Sequence, residues 1–333
     1  MALQAGPLFG RVTGPIDLRD FLGRAGIVLR PPTDTRPDGQ PGGERFVIKV
    51  NWYAPLPGYY TSARTLDLLL SALPGEKLVV EGYSHARNDG SRRLFASQVD
   101  RHRDWIRAQD RWFLQHTGLG EVLDRHGARY LSVTEELWSG RTIPAQEVRA
   151  AVRARFGAAG GLDAGDPLRH PEFYACIPAA LLEWRDATFL NFAKLKLPKT
   201  GDGPWSPPLK NIFGLVPDPD RHRYHRDLPR SIIDINLVYR SLFTVVDLAE
   251  ALHEMLWYHP AGRHRVAWGS YDVLEGRGLV ACDANPVELD VACAELFGID
   301  LRHRDLVRAA APVFGRWDDE AIARATRDGE GTP

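Results

Sequence analysis

Residues 45–80 read RFVIKVNWYAPLPGYYTSARTLDLLLSALPGEKLVV, and this stretch decides the fold class. Residues 45–50 and 76–80 are short apolar runs of the kind that form buried strands. Between them, Thr61 or Ser62 can cap a helix that runs to Leu73. A strand, a helix and a second strand in this order are typical of a parallel sheet. The sequence therefore predicts an α/β protein with a mixed or mostly parallel sheet flanked by helices.

The alternation of helices and strands continues through the rest of the chain. Helices are predicted at 99–116, 119–126, 144–156, 178–184, 230–239 and 286–297, strands at 129–133, 187–192, 242–246 and 279–281, and loops at 31–44, 157–171 and 198–208. Asn285 and Pro286 are a typical cap and first residue of a helix. We expect a single domain, arranged as two closely packed lobes of about 1–175 and 176–327, and a disordered tail at 328–333.

The composition argues against several classes of protein. The 333 residues carry a net charge of only -1, whereas proteins that bind nucleic acid usually have a basic excess. No apolar run reaches the length of about 18 residues that a membrane helix needs, and the first residues lack the pattern of a signal peptide. The 3 cysteines form no CxxC pair, so we expect neither a disulfide framework nor an iron–sulfur cluster. These features predict a cytoplasmic protein and leave its oligomeric state open.

The lysines are few and clustered. The 42 basic residues are 36 arginines and 6 lysines, a bias typical of a GC-rich bacterial genome. Four of the lysines fall between residues 194 and 210, namely Lys194, Lys196, Lys199 and Lys210. Lysine differs from arginine in being a compact charge whose pKa shifts readily. We therefore take this segment as the leading candidate for a functional site.

Polar side chains also stand where predicted strands end. They are Lys49, Asn51, Glu81, Lys194, Lys196, Asp247 and Asp283. Ligands of open parallel sheets bind at that edge. Lys194 and Lys196 flank one strand residue and are expected to point the same way, where an anion would relieve their repulsion. Lys210 and Asn211 follow two prolines at a predicted helix start, which could add backbone donors.

Histidines and carboxylates supply further candidates for chemistry. His222 and His225 form an HxxH pair, and His225 is a candidate for proton transfer near neutral pH. Asp290 lies in a helix that is apolar nearly all round, so it needs a partner, most simply a lysine. No metal is predicted, but carboxylates suit Mg²⁺. The carboxylates that stay open as magnesium ligands are Asp234, Asp247, Asp283 and Asp290.

A set of short motifs carries a family resemblance. The motifs are FVIKVNW (46–52), VVEGYS (79–84), FAKLKL (192–197), SPPLKNIFGLVP (206–217), YHRDL (224–228), IIDINL (232–237), FTVVDL (243–248) and VACDANPVELDVACAELFGID (280–300). In order and spacing they resemble the DUF362 family over about residues 45–300. The resemblance implies an α/β fold, and it implies functional roles for the motif positions Lys49, Asn51, Glu81, Lys194, Lys196, Lys210, Asn211, His225, Asp234, Asp247, Asp283 and Asp290.

The sequence departs from that family in three ways. Many members carry ferredoxin-like four-iron clusters, but this chain has no cysteine cluster, so the redox role does not carry over. Pro198 stands where the family often has a histidine. The segment LAEALHEMLW (248–257) replaces the glycine-rich segment that usually follows the position of Asp247.

From these residues we expect an enzyme that acts on a small anionic metabolite by acid–base chemistry. The reaction would be of the isomerase, lyase or cyclase type, in a biosynthetic pathway of bacterial specialised metabolism. Lysines would hold the carboxylate or phosphate, asparagines would orient it, and a histidine, an aspartate or a lysine of lowered pKa would move a proton. The catalytic candidates are Lys196, Lys210, His225 and Asp283, and the substrate-binding candidates are Lys49, Asn51, Glu81, Lys194 and Asn211. No organic cofactor is predicted.

Two other functions fit the same sequence. One is a cofactor-dependent oxidoreductase, or a redox partner for one, as the cluster-bearing relatives would imply. The other is a module that binds an anionic ligand without catalysis, since loop aromatics offer contact area. Those aromatics are Trp52, Tyr53, Tyr59, Tyr60 and Trp205.

Overall fold

The computed structural model describes residues 6–29, 34–35, 41–42, 44–91, 101–157, 166–198, 205–266 and 269–330, with 34–35, 41–42 and 328–330 described by backbone alone. The strands are β1 (Leu8–Arg11), β2 (Asp34–Thr35), β3 (Pro41–Gly42), β4 (Arg45–Lys49), β5 (Glu76–Glu81), β6 (Arg129–Ser132), β7 (Thr188–Lys194), β8 (Lys196–Pro198), β9 (Val245–Ala251), β10 (Glu254–Tyr258), β11 (His264–Val266), β12 (Gly269–Glu275) and β13 (Leu279–Asp283).

The α-helices are α1 (Pro15–Arg24), α2 (Ala63–Ala72), α3 (Arg103–His116), α4 (Leu119–Arg125), α5 (Val133–Trp138), α6 (Ala145–Phe156), α7 (Pro208–Asn211), α8 (Leu228–Leu242), α9 (Pro286–Glu295), α10 (Asp305–Phe314) and α11 (Asp319–Glu330). Short 3₁₀ helices cover Pro171–Ala175, Ala179–Trp184, Ile212–Leu215 and Arg221–Asp227. No helix in these described ranges is long and apolar enough to cross a lipid bilayer.

A seven-stranded sheet forms the centre of the fold. Its strand order is β1-β13-β9-β7-β4-β5-β6, and the five strands from β9 to β6 are parallel. β13 runs antiparallel to β9, and β1 runs antiparallel to β13. The prediction of a mixed, mostly parallel sheet flanked by helices is confirmed.

Alternation along each strand divides the core into two layers. In β4, Phe46 and Ile48 pack on one face, with α1, α2 and α4, whereas Val47 packs on the other face, with α6, α8 and α9. Successive strand residues point to opposite faces, so Lys49 shares the face of Val47. Apolar side chains cover both faces of the sheet, as expected when its central strands are parallel.

A smaller, four-stranded sheet stands beside the large one. Its order is β11-β12-β10-β8, and β8 and β10 pair in parallel. The chain passes from the large sheet into the small one at Leu195, between β7 and β8. Leu195 donates its N–H to Glu250 of β9, and its carbonyl accepts from Leu256 of β10. The sequence analysis did not predict this second sheet, because its strands are short and mix polar with apolar residues.

Several boundaries differ from those predicted. The two lobes expected to meet near residue 175 share one sheet, because β7 pairs with β4 and β1 pairs with β13. Helix α8 extends to Leu242, so β9 starts later than expected and Asp247 lies inside that strand. Helix α11 runs to Glu330, so the first three residues of the predicted disordered tail are helical.

Parts of the predicted loops lie outside the described residues. These parts are 31–33, 36–40, 43, 158–165 and 199–204, together with 331–333 of the tail. Where backbone is described within 31–44, β2 and β3 pair as a two-stranded sheet. The predicted cap of α9 is confirmed, since the Asn285 side chain accepts the N–H groups of Val287 and Glu288.

A buried ion pair joins helix α8 to the sheet. Arg240 donates to Asp247 Oδ1 at 2.8 Å and to Oδ2 at 2.7 Å, and the two side chains are 9% and 0% exposed. Arg240 Nε also donates to Asn236 Oδ1 at 3.1 Å. Because the Asp247 carboxylate is fully buried, water cannot solvate it if the Arg240 guanidinium is removed.

We predict that Arg240→Ala lowers the free energy of unfolding by about 3–5 kcal/mol, because it leaves Asp247 buried without its counter-charge. Urea denaturation followed by circular dichroism measures the loss. The matched control is Arg324→Ala, since Arg324 is 60% exposed and pairs with Glu320 at 4.0 Å. That control should change stability by less than about 0.5 kcal/mol. Equal effects of the two substitutions would contradict the prediction.

Candidate functional site

A row of polar residues crosses the large sheet where β4 ends. From strand to strand the row reads Lys49, Asn191, Asp247 and Asp283. Residues directly paired across neighbouring strands point to the same face, here the face covered by α7 and α9. All four are buried. Buried polar groups must find partners within the protein, and the site is built on the partners of this row.

A chain of side-chain hydrogen bonds leads from Lys196 to this row. The Lys196 amine donates to Asn51 Oδ1 at 2.6 Å, and Asn51 Nδ2 donates to Asn211 Oδ1 at 3.0 Å. Asn211 Nδ2 donates to Asn191 Oδ1 at 2.9 Å, and Asn191 Nδ2 donates to Asp247 Oδ1 at 2.7 Å. We call Asn51, Asn211 and Asn191 the amide chain. The carboxylate at its end can only accept, so every amide in the chain has a defined direction.

Lys49 and Glu81 form a second buried pair beside the amide chain. Lys49 Nζ lies 2.9 Å from Glu81 Oε2, which also accepts the N–H of Trp52 at 3.0 Å. Glu81 Oε1 accepts the N–H of Gly82 at 2.9 Å. Burial lowers the pKa of Lys49, and the charge of Glu81 opposes that change. The position of Glu81 is fixed by three donors, two of them on the backbone.

Gly214 makes room for this pair. A Cβ atom at Gly214 would lie 2.6 Å from Lys49 Nζ and 2.7 Å from Glu81 Oε1. Both side chains are almost fully buried, so neither can move aside into solvent. The motif LKNIFGLVP therefore needs glycine at position 214, because the backbone there lies directly against the Lys49 and Glu81 side chains.

A cavity of about 400 Å³ opens at the Lys196 end of the amide chain. It brings together seven of the nine predicted catalytic and binding residues, namely Lys49, Asn51, Glu81, Lys196, Lys210, Asn211 and His225. Aromatic side chains form much of the remaining wall, and they are Trp52, Tyr53, Tyr59, Trp205, Phe213 and Tyr258. Tyr60, also expected to offer contact area, packs against Phe113 instead.

Basic side chains outnumber carboxylates among the described residues that line the cavity. Glu81 is the one carboxylate among the described lining residues, and Lys49 already neutralises it. Lys196 and Lys210 donate to uncharged oxygens, the latter to the carbonyl of Trp205 at 3.4 Å. Arg221 donates to the carbonyls of Gly214, Tyr83 and Val216. Three basic side chains, Lys196, Lys210 and Arg221, thus face the cavity without a carboxylate partner among the described residues.

Burial changes the proton affinity of these groups. It holds the pKa of Lys196 well below its usual range, and the charges of Lys210, Lys194 and Lys49 act in the same direction. Burial also lowers the pKa of Lys210 and of Arg221. An amine with a lowered pKa is neutral more often near pH 7, and it can then accept a proton or attack an electrophile.

His225 stands at the rim of the cavity. Its Nδ1 lies 3.2 Å from the carbonyl oxygen of Arg221, which can only accept, so Nδ1 carries the hydrogen and Nε2 keeps the lone pair. Burial lowers the pKa of His225, and the nearby charge of Lys210 lowers it further. The ring of His222 lies 5.1 Å away. His225 is therefore a neutral imidazole near pH 7, able to accept a proton at Nε2.

Lys194 does not face the cavity, contrary to the expectation that it points the same way as Lys196. The chain leaves the large sheet at Leu195, which breaks the strand between the two lysines. The Lys194 amine lies 3.6 Å from Glu250, which is fully buried, and 3.9 Å from Glu254, which is partly exposed. Lys199, the other lysine of this segment, lies outside the described residues.

Asp283 and Asp290 also lie away from the cavity wall. Asp283 is level with Lys49 in the polar row, but β9 and β7 lie between β13 and β4, and neither aspartate is among the residues that line the cavity. Burial raises the pKa of Asp283 to about 7. Asp290 accepts the N–H of Leu209 at 3.4 Å rather than pairing with a lysine, and burial raises its pKa well above the usual range.

The four candidate magnesium ligands do not converge. Asp247 is bound by Arg240, and Asp234 pairs with Arg230 while accepting the N–H groups of Arg169 and His170. Across the described residues, no group of three or more His, Cys, Asp or Glu side chains is arranged to hold a metal ion. The three cysteines are buried and unpaired.

The sequence analysis missed three functional positions. Arg221 faces the cavity but is one of 36 arginines, so composition gave it no prominence. Asn191 is the last link of the amide chain, next to Asp247, and its one signal was an amide residue within the mostly apolar strand ATFLNF. Gly214 was quoted within a motif, but only the close approach of Lys49 and Glu81 shows why glycine is needed there.

Comparisons with known proteins returned no match. No family model, no curated protein and no solved structure is significantly similar to this chain.

Gly214→Ala should destabilise the protein by about 1–3 kcal/mol, because the added methyl group overpacks the buried Lys49–Glu81 pair. Thermal and urea unfolding measure the change. Gly23→Ala is the matched control, since a Cβ there meets no atom within 4 Å and the residue lies in α1. It should leave stability unchanged or raise it by up to about 1 kcal/mol. Loss of stability only in the control would refute the close-approach argument.

Lys210→Met should raise the pKa of His225, because it removes a positive charge that disfavours the imidazolium form. Titration of the histidine ring protons by NMR measures this without any substrate. Lys77→Met is the control, since the Lys77 amine donates to Gly75 at the opposite end of β5 from Glu81. A pKa of His225 that is the same in all three proteins would rule out the coupling to Lys210.

Proposed function

We propose that this protein is an enzyme that binds a small organic anion in the cavity and moves a proton on it. One observation carries the proposal: the cations Lys210 and Arg221 face a cavity in which Glu81, the single carboxylate among the described lining residues, is already neutralised by Lys49. Unpaired cations in a buried site are costly, and an anionic ligand would supply the missing charge.

Lys210 and Arg221 are the groups best suited to hold the anion. Arg221 uses Nε and one terminal nitrogen on carbonyl oxygens, which fixes the orientation of its planar guanidinium. Hydrogen bonds from cations to a carboxylate or phosphate are about twice as strong as neutral ones. The aromatic wall would contact the uncharged part of the ligand and exclude water from it.

Two neutral bases supply the proposed proton transfer. His225 presents Nε2, and Lys196 carries an amine whose pKa is held low by burial and by neighbouring cations. A base whose pKa lies near the working pH is the most effective catalyst of proton transfer. A carboxylate held by cations beside such a base favours removal of a proton from the adjacent carbon, the first step of an isomerisation, elimination or cyclisation.

The test combines binding with isotope exchange. A panel of small carboxylates and phosphate monoesters is screened by thermal shift at low ionic strength, and at least one anion should raise the melting temperature. Lys210→Met should weaken that binding by about tenfold or more, whereas Lys77→Met should not. In D₂O the wild-type protein should then incorporate deuterium at a carbon of the bound anion, detected by mass spectrometry.

The outcomes separate the competing functions. If anions bind and none of them exchanges deuterium, the result would support a non-catalytic binding module. The aromatic residues Tyr53, Tyr59 and Trp205 of the cavity wall are consistent with that function. Absence of any stabilising anion would overturn the proposal altogether.

A further inference from the structure

Lys196 differs from the other lysines of the strand ends. Lys49 pairs with Glu81, and Lys194 lies close to Glu250, but Lys196 has no carboxylate partner among the described residues. Its side chain is only 4% exposed, yet it forms part of the cavity wall. Its backbone is held on both sides, by Leu256 of β10 and by a bridge to Ser206. It is a fixed, buried amine that faces a space large enough for a small molecule.

The contacts of the amine suit its neutral form. A neutral amine has two N–H donors and one lone pair, whereas an ammonium group has three donors. Lys196 Nζ has two acceptors, Asn51 Oδ1 at 2.6 Å and the carbonyl of Tyr59 at 3.4 Å. The amide chain holds Asn51 with its oxygen toward Lys196, so this acceptor cannot turn into a donor. Two hydrogen bonds therefore use both N–H groups and leave the lone pair free.

The surroundings also disfavour the ammonium form. Burial is the largest cause of the lowered pKa of Lys196, and Lys210, Lys194 and Lys49 add to it, against a smaller opposing effect of Glu81. A lysine that is desolvated beside other cations is a known means of making an amine nucleophilic at neutral pH. The typical electrophile for such an amine is a carbonyl carbon.

We propose that Lys196 forms a covalent imine with an oxo acid, a small molecule that carries both a ketone or aldehyde and a carboxylate. This rests on the proposed function, because Lys210 and Arg221 would hold the carboxylate of the same molecule. It narrows the substrate class from organic anions in general to those with a carbonyl group.

The covalent step balances without any oxidant or reductant. The Nζ lone pair bonds to the carbonyl carbon while the C=O π electrons move to oxygen, and one amine proton transfers to that oxygen to give a carbinolamine. The C–O bond then breaks, oxygen leaves as water with one further proton from solvent, and the nitrogen lone pair forms C=N⁺–H. The iminium withdraws electrons from the adjacent carbon, so a proton there becomes easier for His225 to remove.

The structure offers support for the charged product. The iminium nitrogen keeps one N–H, and Asn51 Oδ1 is held in place to accept it. The Tyr59 ring centroid lies 5.2 Å from Lys196 Nζ, within the range in which an aromatic face stabilises a cation. Both contacts favour the iminium over the neutral amine from which it forms.

The experiment traps the imine by reduction. Wild-type protein is incubated with pyruvate, acetoacetate or phenylpyruvate and then treated with sodium borohydride. Intact mass should show one adduct equal to the oxo acid less one oxygen atom, and peptide mapping should place it on Lys196. Labelling of Lys196 should exceed that of Lys77 by at least about tenfold. Because the position is mapped in the wild-type protein, the result does not depend on a variant that folds.

Two variants sharpen the result. Lys196→Arg should abolish the adduct, and Lys210→Met should reduce its yield because the carboxylate loses a partner, while Lys77→Met should label as the wild type does. Labelling that is absent, or equal at Lys196 and Lys77, would overturn the covalent proposal. If a carboxylate nevertheless stabilises the protein against thermal unfolding, and Lys210→Met weakens the binding of that carboxylate, only the covalent proposal fails. If no anion binds at all, the proposed function fails with it.

Discussion

Asp247 accepts two hydrogen bonds from Arg240 and one from Asn191, and this carboxylate sets the direction of the amide chain that connects the sheet to the cavity. An isolated asparagine can turn its amide over and exchange donor for acceptor. Here each amide is bound on both sides, so a single fixed acceptor at one end determines the orientation of all three. Asn51 presents an oxygen to Lys196 because a carboxylate three links away can only accept.

The charge balance of the site follows from the same architecture. The acidic groups on this face of the sheet are either neutralised by arginine, as Asp247 is, or set apart from the cavity, as Asp283 and Asp290 are. The basic groups of the cavity wall, Lys196, Lys210 and Arg221, therefore have no carboxylate partner among the described residues. Burying cations in this way costs stability, and sites of this kind persist where the unfavourable charge serves binding or catalysis. The large apolar core on both faces of the sheet supplies the stability that the site does not.

The sequence was informative where local rules dominate. The unit from β4 through α2 to β5 was predictable from apolar runs and a serine cap, and the cap and proline of α9 were predictable for the same reason. The shortage of lysine drew attention to Lys196 and Lys210, both of which line the cavity. The rest depended on long-range pairing. Neither the place of β13 in the strand order nor the second sheet has a local signal, and so Asp283 and Lys194 were placed in a site to which their side chains do not extend.

The break at Leu195 has a consequence for engineering. Lys194 and Lys196 are only two positions apart in the sequence, but they belong to different sheets. Lys194 has a carboxylate nearby, whereas Lys196 has none among the described residues. A transplant of residues 194–210 into another scaffold would carry four lysines and none of the groups that give Lys196 its surroundings. Asn51, Asn191, Tyr59 and the Arg240–Asp247 anchor come from four other parts of the chain. The surroundings of this amine are built by the whole sheet assembly, and a designer would have to transfer that assembly to keep them.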